Sequence, residues 1–470
     1  MKKISILFLF IFNVIFSQDE ATPFTSNENA VNNVGERFVL YNIDIDGLTI
    51  PLEIFYNHNG FKATEIPGVL GLGWQFNNIG KITRQVNHLP DEFQTTAHPT
   101  YSTGGWFVND NSHLSNTGNL PTNSYYGNAI GDVIRDAIDI SPDFYNFNSS
   151  SGRNALFSFD KIINNGVIDL KPVFLDSNLN YTLDTDFNKF NYGLSNYQDV
   201  VFNLIEENGV AYEFIGGPIN SQVYRNQTSV NPQTKDFYVS KIKSSHNSDE
   251  INISYVERLV ESGVLYDYGY KNSTSAEAIV VYSDYFFRGE SELIVSEIIT
   301  PKEKIVFEYF DSVLPNYSGY GVVVPTLHAI YIKNLNDEII TSYHFVYEEF
   351  ITNIGPLLTK IYKGEKDFYS VDHRDFYDEQ SLSLINITKI KEFQYYEYSQ
   401  LDSEFTSHKI DIFGYYNGSN NNSLIPINYK RCSEYTIYTG ADRKPNLAAI
   451  KQGALKKAIN NLGGIKEYDY

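Results

Sequence analysis

Apolar and polar residues alternate with period two along most of the chain, the pattern of strands that bury one face. Ile43 and Ile45 run into Asp46-Gly47, and Leu48, Ile50, Leu52, Ile54 and Tyr56 run out of it. Phe202 and Leu204 lead to Asn208-Gly209, and Val210, Tyr212 and Phe214 lead away. Asp-Gly and Asn-Gly between such runs predict tight hairpins, because both turn residues accept positive φ.

A loose repeat runs through the second half. Its unit is an apolar residue, two variable residues, a second apolar residue, a polar turn and a return strand ending in tyrosine. Val239 to Ile242 turns through Asn247-Ser248-Asp249 and returns as Ile251, Ile253 and Tyr255. Val295 to Ile298 turns at Pro301-Lys302-Glu303 and returns as Ile305, Phe307 and Tyr309. Leu327 to Ile330 precedes Asn334-Leu335-Asn336-Asp337, with Ile339, Tyr343, Phe345 and Tyr347 returning. Leu455 to Ala458 precedes Gly463-Gly464, with Tyr468 and Tyr470 after it. A hairpin cannot cover its own apolar face, so such units must lie against one another. The expected fold is mainly β: an array of antiparallel β-hairpins forming an extended curved sheet or partial β-shell, with few short helices. Helix signals are few: Asn128 to Ile138 places Ile130, Val133, Ile134 and Ile138 at helical spacing, enough for a short helix. Phe93 to Gly127, rich in Thr, Ser, Asn and Gly, reads as loop. The Tyr-rich stretch from Leu259 to Ser291 has no pairing that alternation alone assigns.

Composition strengthens the strand reading. The chain of 470 residues holds 37 Tyr and 32 Phe, and aromatic rings pack well in cross-strand pairs. Its net charge of −21 argues against nucleic acid and anionic lipid as partners. Cys432 is the one cysteine, so stability must come from burial and sheet hydrogen bonds rather than from an internal disulfide. Lys2-Lys3, the apolar run from Ile4 to Phe16 and Ser17-Gln18-Asp19 follow the order of a secretory signal peptide, with cleavage after Ser17. That run is shorter than the roughly 20 residues a spanning helix needs. The expected location is therefore secreted or cell-surface, after export through the inner membrane, with no membrane insertion once the signal is removed.

Candidate chemistry is sparse. No His is followed by Glu, no Gly-x-Ser-x-Gly elbow occurs, and Gly80-Lys81 runs into Ile82 rather than Ser or Thr. His373-Arg374-Asp375 lacks the Asn that a kinase loop places five residues beyond the Asp. Asp176, Asn178 and Asn180 have calcium-loop spacing, but Tyr181 and Phe187 stand where glycine and the last carboxylate belong. A carboxylate pair brought together by the fold is the enzymatic route that stays open, and among 57 acidic residues a chance pair is expected. No catalytic, cofactor-binding or metal-binding residue is assigned.

Several longer segments narrow the reading. Leu48 to Asn57 with Gly60 precedes Gly71-Leu72-Gly73-Trp74, then Gly80, Ile82-Thr83-Arg84 and Pro90-Asp91-Glu92. Pro142-Asp143-Phe144-Tyr145-Asn146-Phe147-Asn148 with Gly152 follows, and later Asp411-Ile412-Phe413-Gly414-Tyr415-Tyr416-Asn417-Gly418 with Leu424-Ile425-Pro426. Gly440-Ala441-Asp442-Arg443, Pro445-Asn446, Gly453-Ala454-Leu455-Lys456-Lys457 and Gly463-Gly464 complete the series. In this order, over about residues 35–470, the set resembles the opening region of secreted RHS/YD-repeat-like proteins of Gram-negative bacteria. Lys81 replaces the second glycine of one pair, Phe413 a tryptophan, and Asn460-Asn461-Leu462 a Tyr-Pro-Thr.

The resemblance implies a non-catalytic scaffold, the N-terminal β-shell region of a surface or toxin-delivery protein. Its partner would be a downstream YD-repeat region or an unknown protein. A secreted glycan-binding module and a glycoside hydrolase with paired carboxylates are the alternatives. Gly71 and Gly73 are expected in tight turns, with Trp74 as a buried anchor beside them or as an exposed sugar platform. The expected organisation is a signal peptide over 1–17, an N-terminal β region with the Gly71–Trp74 segment over 18–92, and a polar insertion with a short helix over 93–140. A continuous hairpin array over 141–470 follows.

Overall fold

The computed structural model describes residues within 35–107, 142–185, 200–220, 233–314, 322–348, 356–365, 387–398, 408–421 and 441–469, apart from short gaps inside several of these ranges. The chain divides into Met1–Gly35 and Glu36–Tyr470, and the fold is that of the second unit. The signal-peptide segment, the expected helix over Asn128–Ile138, Asp176, Asn178, His373-Arg374-Asp375 and Cys432 lie outside the described residues.

The fold is antiparallel β, as the alternation requires. β1 (Arg37–Ile45), β2 (Leu48–Tyr56) and β3 (Trp74–Phe76) make a three-stranded sheet. The first turn has Asp46 at φ 34° and Gly47 at φ 82°, the positive values that the Asp-Gly pair anticipates. A second, open sheet of 17 strands begins with β4 (Gly80–Gln85). A two-residue pair, β5 (Gln94–Thr95) with β6 (Thr103–Gly104), separates it from β7 (Phe144–Ser149), β8 (Asn154–Asn164) and β9 (Val167–Phe174). β10 (Tyr181–Thr185), β11 (Val200–Glu206) and β12 (Ala211–Gly216) come next, then a short pair of β13 (Ile219–Asn220) and β14 (Gln233–Thr234). The array continues as β15 (Asp236–Lys243), β16 (Glu250–Lys271), β17 (Ile279–Ile299), β18 (Glu303–Leu314), β19 (Val322–Asn334), β20 (Ile339–Glu348), β21 (Leu357–Glu365) and β22 (Ile387–Tyr395). One turn of helix, α1 (Leu447–Ile450), precedes β23 (Leu455–Asn460) and β24 (Ile465–Glu467).

The sheet branches at β15. One edge of this strand pairs with β12 along its length. Its other edge is shared: Asp236, Phe237 and Tyr238 face Thr83, Ile82 and Lys81 of β4, whereas Lys241 to Lys243 face Asn252 to Glu250 of β16. Eight strands in the order β9-β8-β7-β4-β15-β12-β11-β10 therefore form one arm, and β16 to β24 form another.

The eight-strand arm folds over an interior of aromatic rings. Phe147 meets Tyr212 at 5.6 Å and Phe214 at 5.7 Å, and Tyr145 meets Phe202 at 5.8 Å. Phe202 lies 4.8 Å from Phe237, and Tyr145, Phe147, Phe157, Phe159, Phe202, Tyr212, Phe214 and Phe237 are all buried. Edge-to-face pairs of this kind add about 0.5–1.5 kcal/mol each beyond area burial. The end strands β9 and β10 come together at Phe174 and Tyr181, 5.4 Å apart. Among the described residues these Tyr and Phe rings pack between strands, the role that the composition predicts.

The small sheet packs on the second arm. Phe76 meets Phe307 of β18 at 5.6 Å, and Trp74 meets Phe393 of β22 at 4.4 Å. The hairpins predicted from the repeat are β15–β16, β17–β18, β19–β20 and β23–β24. The stretch that alternation left unassigned is a long hairpin, β16–β17, paired from Asn252↔Ile299 to Lys271↔Ile279 with one register shift between Ser254 and Tyr255.

Candidate functional site

The repeat has a structural cause, visible only once the strands are paired. In β15–β16 the backbone ladder ends at Lys241↔Asn252, two residues after Val239 and three before Tyr255. It ends at Glu297↔Val306 in β17–β18, at Ala329↔His344 in β19–β20 and at Lys360↔Glu392 in β21–β22. These are the same offsets from Val295 and Tyr309, from Leu327 and Tyr347, and from Leu358 and Tyr395. Beyond each end the first apolar residue presents a carbonyl that no longer faces a backbone donor, and the tyrosine fills it. The hydroxyl of Tyr255 donates to the Val239 carbonyl at 2.6 Å, and Tyr309 to Val295 and Tyr347 to Leu327 at 2.7 Å each. Tyr395 donates to Leu358 in the same way.

Each tyrosine also seats the strand that follows. Tyr255 stands opposite Val295, Tyr309 opposite Leu327, Tyr347 opposite Leu358 and Tyr395 opposite Leu455. The register skips one residue at every step: Ser296, His328, Thr359 and Lys456. Phe214 opposite Val239, with Ser240 skipped, begins the series. These are β-bulges, which bend a strand and increase its twist. Backbone ladders thus join each strand to its neighbours, and a line of tyrosines and carbonyls crosses the sheet beside them. Burial raises Tyr255 and Tyr309 above the ordinary phenol pKa, so both remain donors at neutral pH.

The Gly71-Leu72-Gly73-Trp74 segment lies along this line. The Leu327 amide donates to the Val69 carbonyl at 2.7 Å, and the Leu72 amide to Pro356 at 3.0 Å. Arg258 reaches the Pro67 carbonyl at 2.9 Å. Trp74 donates from Nε1 to the Tyr395 hydroxyl at 2.9 Å, and the Leu455 amide donates to the Tyr56 hydroxyl at 2.9 Å. Gly71 and Gly73 have φ of 86° and 76°, and a Cβ on Gly71 would collide with the Pro356 carbonyl. Trp74 is a buried anchor at 1% exposure, which removes the sugar-platform alternative for this residue.

Three other sequence landmarks converge on one another. Arg84 donates from Nε and Nη2 to Asp143, at 2.8 and 2.5 Å, with both side chains buried. Asp143 also accepts the Asn87 and Asp91 amides, and its own amide donates to the Asp91 carboxylate. The sequence identified these residues as markers but carried no signal that they touch. Asp91 and Asp143 are a carboxylate pair made by the fold, and their hydrogen bonds hold backbone.

A second knot joins the Asp411–Gly418 and Ala441–Asn446 segments. The Asp411 carboxylate accepts the Tyr415 amide at 2.9 Å, and Arg443 donates to the Asp411 carbonyl. Asn417 donates to the Asp442 carbonyl at 2.8 Å, and Asn446 to the Asn417 carbonyl at 3.2 Å. Asn446 also caps α1 through the Ala448 amide. Among the described residues no group of three or more His, Cys, Asp or Glu side chains is placed to hold a metal ion.

The arrangement as a whole builds and fastens a sheet: tyrosines join neighbouring strands, a glycine admits a crossing loop, and the buried Arg84–Asp143 pair ties β4 to the segment before β7. In comparison with known proteins, no family model matches the chain and no curated protein matches it, so a function is read from this ladder and its anchors.

Proposed function

We propose that the protein is an exported, non-catalytic scaffold, the front region of an RHS/YD-repeat-like wound sheet, whose work is enclosure or display. The observation that supports this reading is the tyrosine–carbonyl step, repeated four times at identical offsets. A step that supplies the seat for the next strand extends a sheet, and nothing in it needs a substrate. The landmark side chains favour the same reading. Arg84, Asp91, Asp143, Asp411 and Asn417 are buried and turned to backbone or to each other.

The test is incubation of the purified chain with a panel of oligosaccharides and polysaccharides while reducing ends are counted. Asp91→Asn and Asp143→Asn variants run beside it. The scaffold predicts no release by the parent chain. Release that disappears in either variant would replace this reading with the glycoside-hydrolase one.

A further inference from the structure

We infer that Pro67–Trp74 is a latch: it opens and closes as one unit with the small sheet β1–β3, separately from the ladders of the strands it crosses. The inference goes beyond the scaffold reading, since it concerns how the second arm is held rather than what the arm is for.

Eight consecutive residues reach the second arm at four places, in the order of its strands. Pro67 accepts from Arg258 of β16, and Val69 accepts the Leu327 amide of β19. Leu72 donates to the Pro356 carbonyl at the entry to β21, and Trp74 donates to the Tyr395 hydroxyl of β22. Tyr56, which stands opposite Trp74 in β2–β3, then accepts the Leu455 amide of β23. The latch is stiffened from within, because the Gly71 amide closes a turn onto the Gly68 carbonyl at 2.9 Å. Its end is pinned to the small sheet, where the Asn57 amide donates to the Gly73 carbonyl at 2.8 Å.

Two of these contacts fall where the ladders are interrupted. Leu327 and Leu455 immediately precede the skipped residues His328 and Lys456. A bulge disrupts the ladder locally, and at both places the amide is met by the latch or the small sheet instead of a neighbouring strand. The side chains bind the latch to two cores at once. Leu70 and Trp74 join the main core, Leu72 packs with Phe61, Leu357, Tyr416 and Ala449, and all three latch residues are buried. A closed turn seated in both cores cannot lift from one strand and stay on the next. Its opening uncovers the row of groups at Leu327, Pro356 and Leu455 while the ladders stay intact.

The experiment is native-state hydrogen exchange of the full chain, read at single amides in guanidinium below the unfolding transition. Leu72, Leu327 and Leu455 should share one opening, with equal protection after correction for intrinsic rates and one denaturant slope. The Asn334 amide bonds Glu338 at the other end of β19, and the Asn460 amide bonds Gly464 at the other end of β23. These two should follow different openings. Gly71→Ala should speed exchange at the three latch-held amides by about tenfold or more, and leave Asn334 and Asn460 within about twofold. Tyr56→Phe, the milder variant, removes the acceptor at Leu455 and should also speed Leu72 and Leu327, although neither bonds to Tyr56. Should Gly71→Ala fail to fold, Tyr56→Phe decides alone. Unequal slopes among the three amides, Leu327 tracking Asn334, Leu455 tracking Asn460, or acceleration confined to Leu455 in Tyr56→Phe would overturn the inference.

Discussion

The hydroxyl of Tyr468 donates to the carboxylate of Glu36 at 2.5 Å, joining residues 432 positions apart. Lys391 reaches the same carboxylate at 2.7 Å and Lys466 at 3.3 Å. The entry to β1 is thereby tied to β22 and to the last strand of the sheet. Burial by itself would raise the Glu36 carboxyl, but the hydrogen bonds from Lys391 and Tyr468 outweigh it and its pKa falls below the ordinary value.

A carboxyl lowered on folding contributes stability that is present above its unfolded pKa of 4.5 and lost as pH falls through the folded value. Acid melts of the parent chain should therefore show a loss of stability below about pH 4.5. Glu36→Gln should destabilise the chain at neutral pH by about 1–3 kcal/mol and lose part of that acid dependence. Parallel acid dependences for the two proteins would count against the tie.

Tyr309→Phe keeps the ring and deletes the donor to the Val295 carbonyl. The expected loss is about 1–3 kcal/mol in denaturant unfolding, since a part-buried carbonyl is left unmet. Tyr255→Phe and Tyr347→Phe should cost similar amounts, because their bonds repeat the same geometry. A loss below about 0.5 kcal/mol at all three positions would show the hydroxyls to be incidental.

Gly71→Ala and Gly47→Ala both place a Cβ at positive φ, yet their surroundings differ. At Gly47 nothing lies within 4 Å of the added carbon, so only backbone strain of about 1–2 kcal/mol is expected. At Gly71 the carbon meets the Pro356 carbonyl, and the loop must leave the line of tyrosines. The melting temperature of Gly71→Ala should fall well below that of Gly47→Ala, and near-equal values would refute the close approach.

His344 and His328 are buried on neighbouring strands with ring centroids 6.5 Å apart. Burial first, and the charge of His328 second, push the His344 pKa down to about 3 from 6.5. The unfolded chain takes up its proton first, so stability is full above pH 6.5 and declines as pH falls toward about 3. One such proton contributes a slope of about 1.4 kcal/mol per pH unit. His344→Phe should flatten the denaturant midpoint between these limits, and an unchanged slope would place the titration elsewhere.

Much of this fold is written locally. Alternation from Ile43 to Tyr56 specifies two half-buried strands, Asp46-Gly47 specifies their turn, and Val295 to Tyr309 reads as a hairpin without reference to the rest of the chain. These features depend on neighbours in sequence, which share the pleat and the turn. The β21–β22 unit was missed for the same reason. Its strands are separated by residues 366–386 rather than by a short turn, so Leu358 and Tyr395 look unrelated until they are paired.

What tertiary structure alone decides is which carbonyl lacks a backbone donor and which hydroxyl reaches it. The branch at β15, the line from Val239 to Leu455, and the meeting of Arg84, Asp91 and Asp143 join positions tens to hundreds of residues apart. Sequence periodicity records the face on which a side chain lies, not the strand that will stand beside it. The tyrosines were legible in the sequence as a repeat; that each one bonds the strand before it and seats the strand after it follows from register, which only the assembled sheet defines.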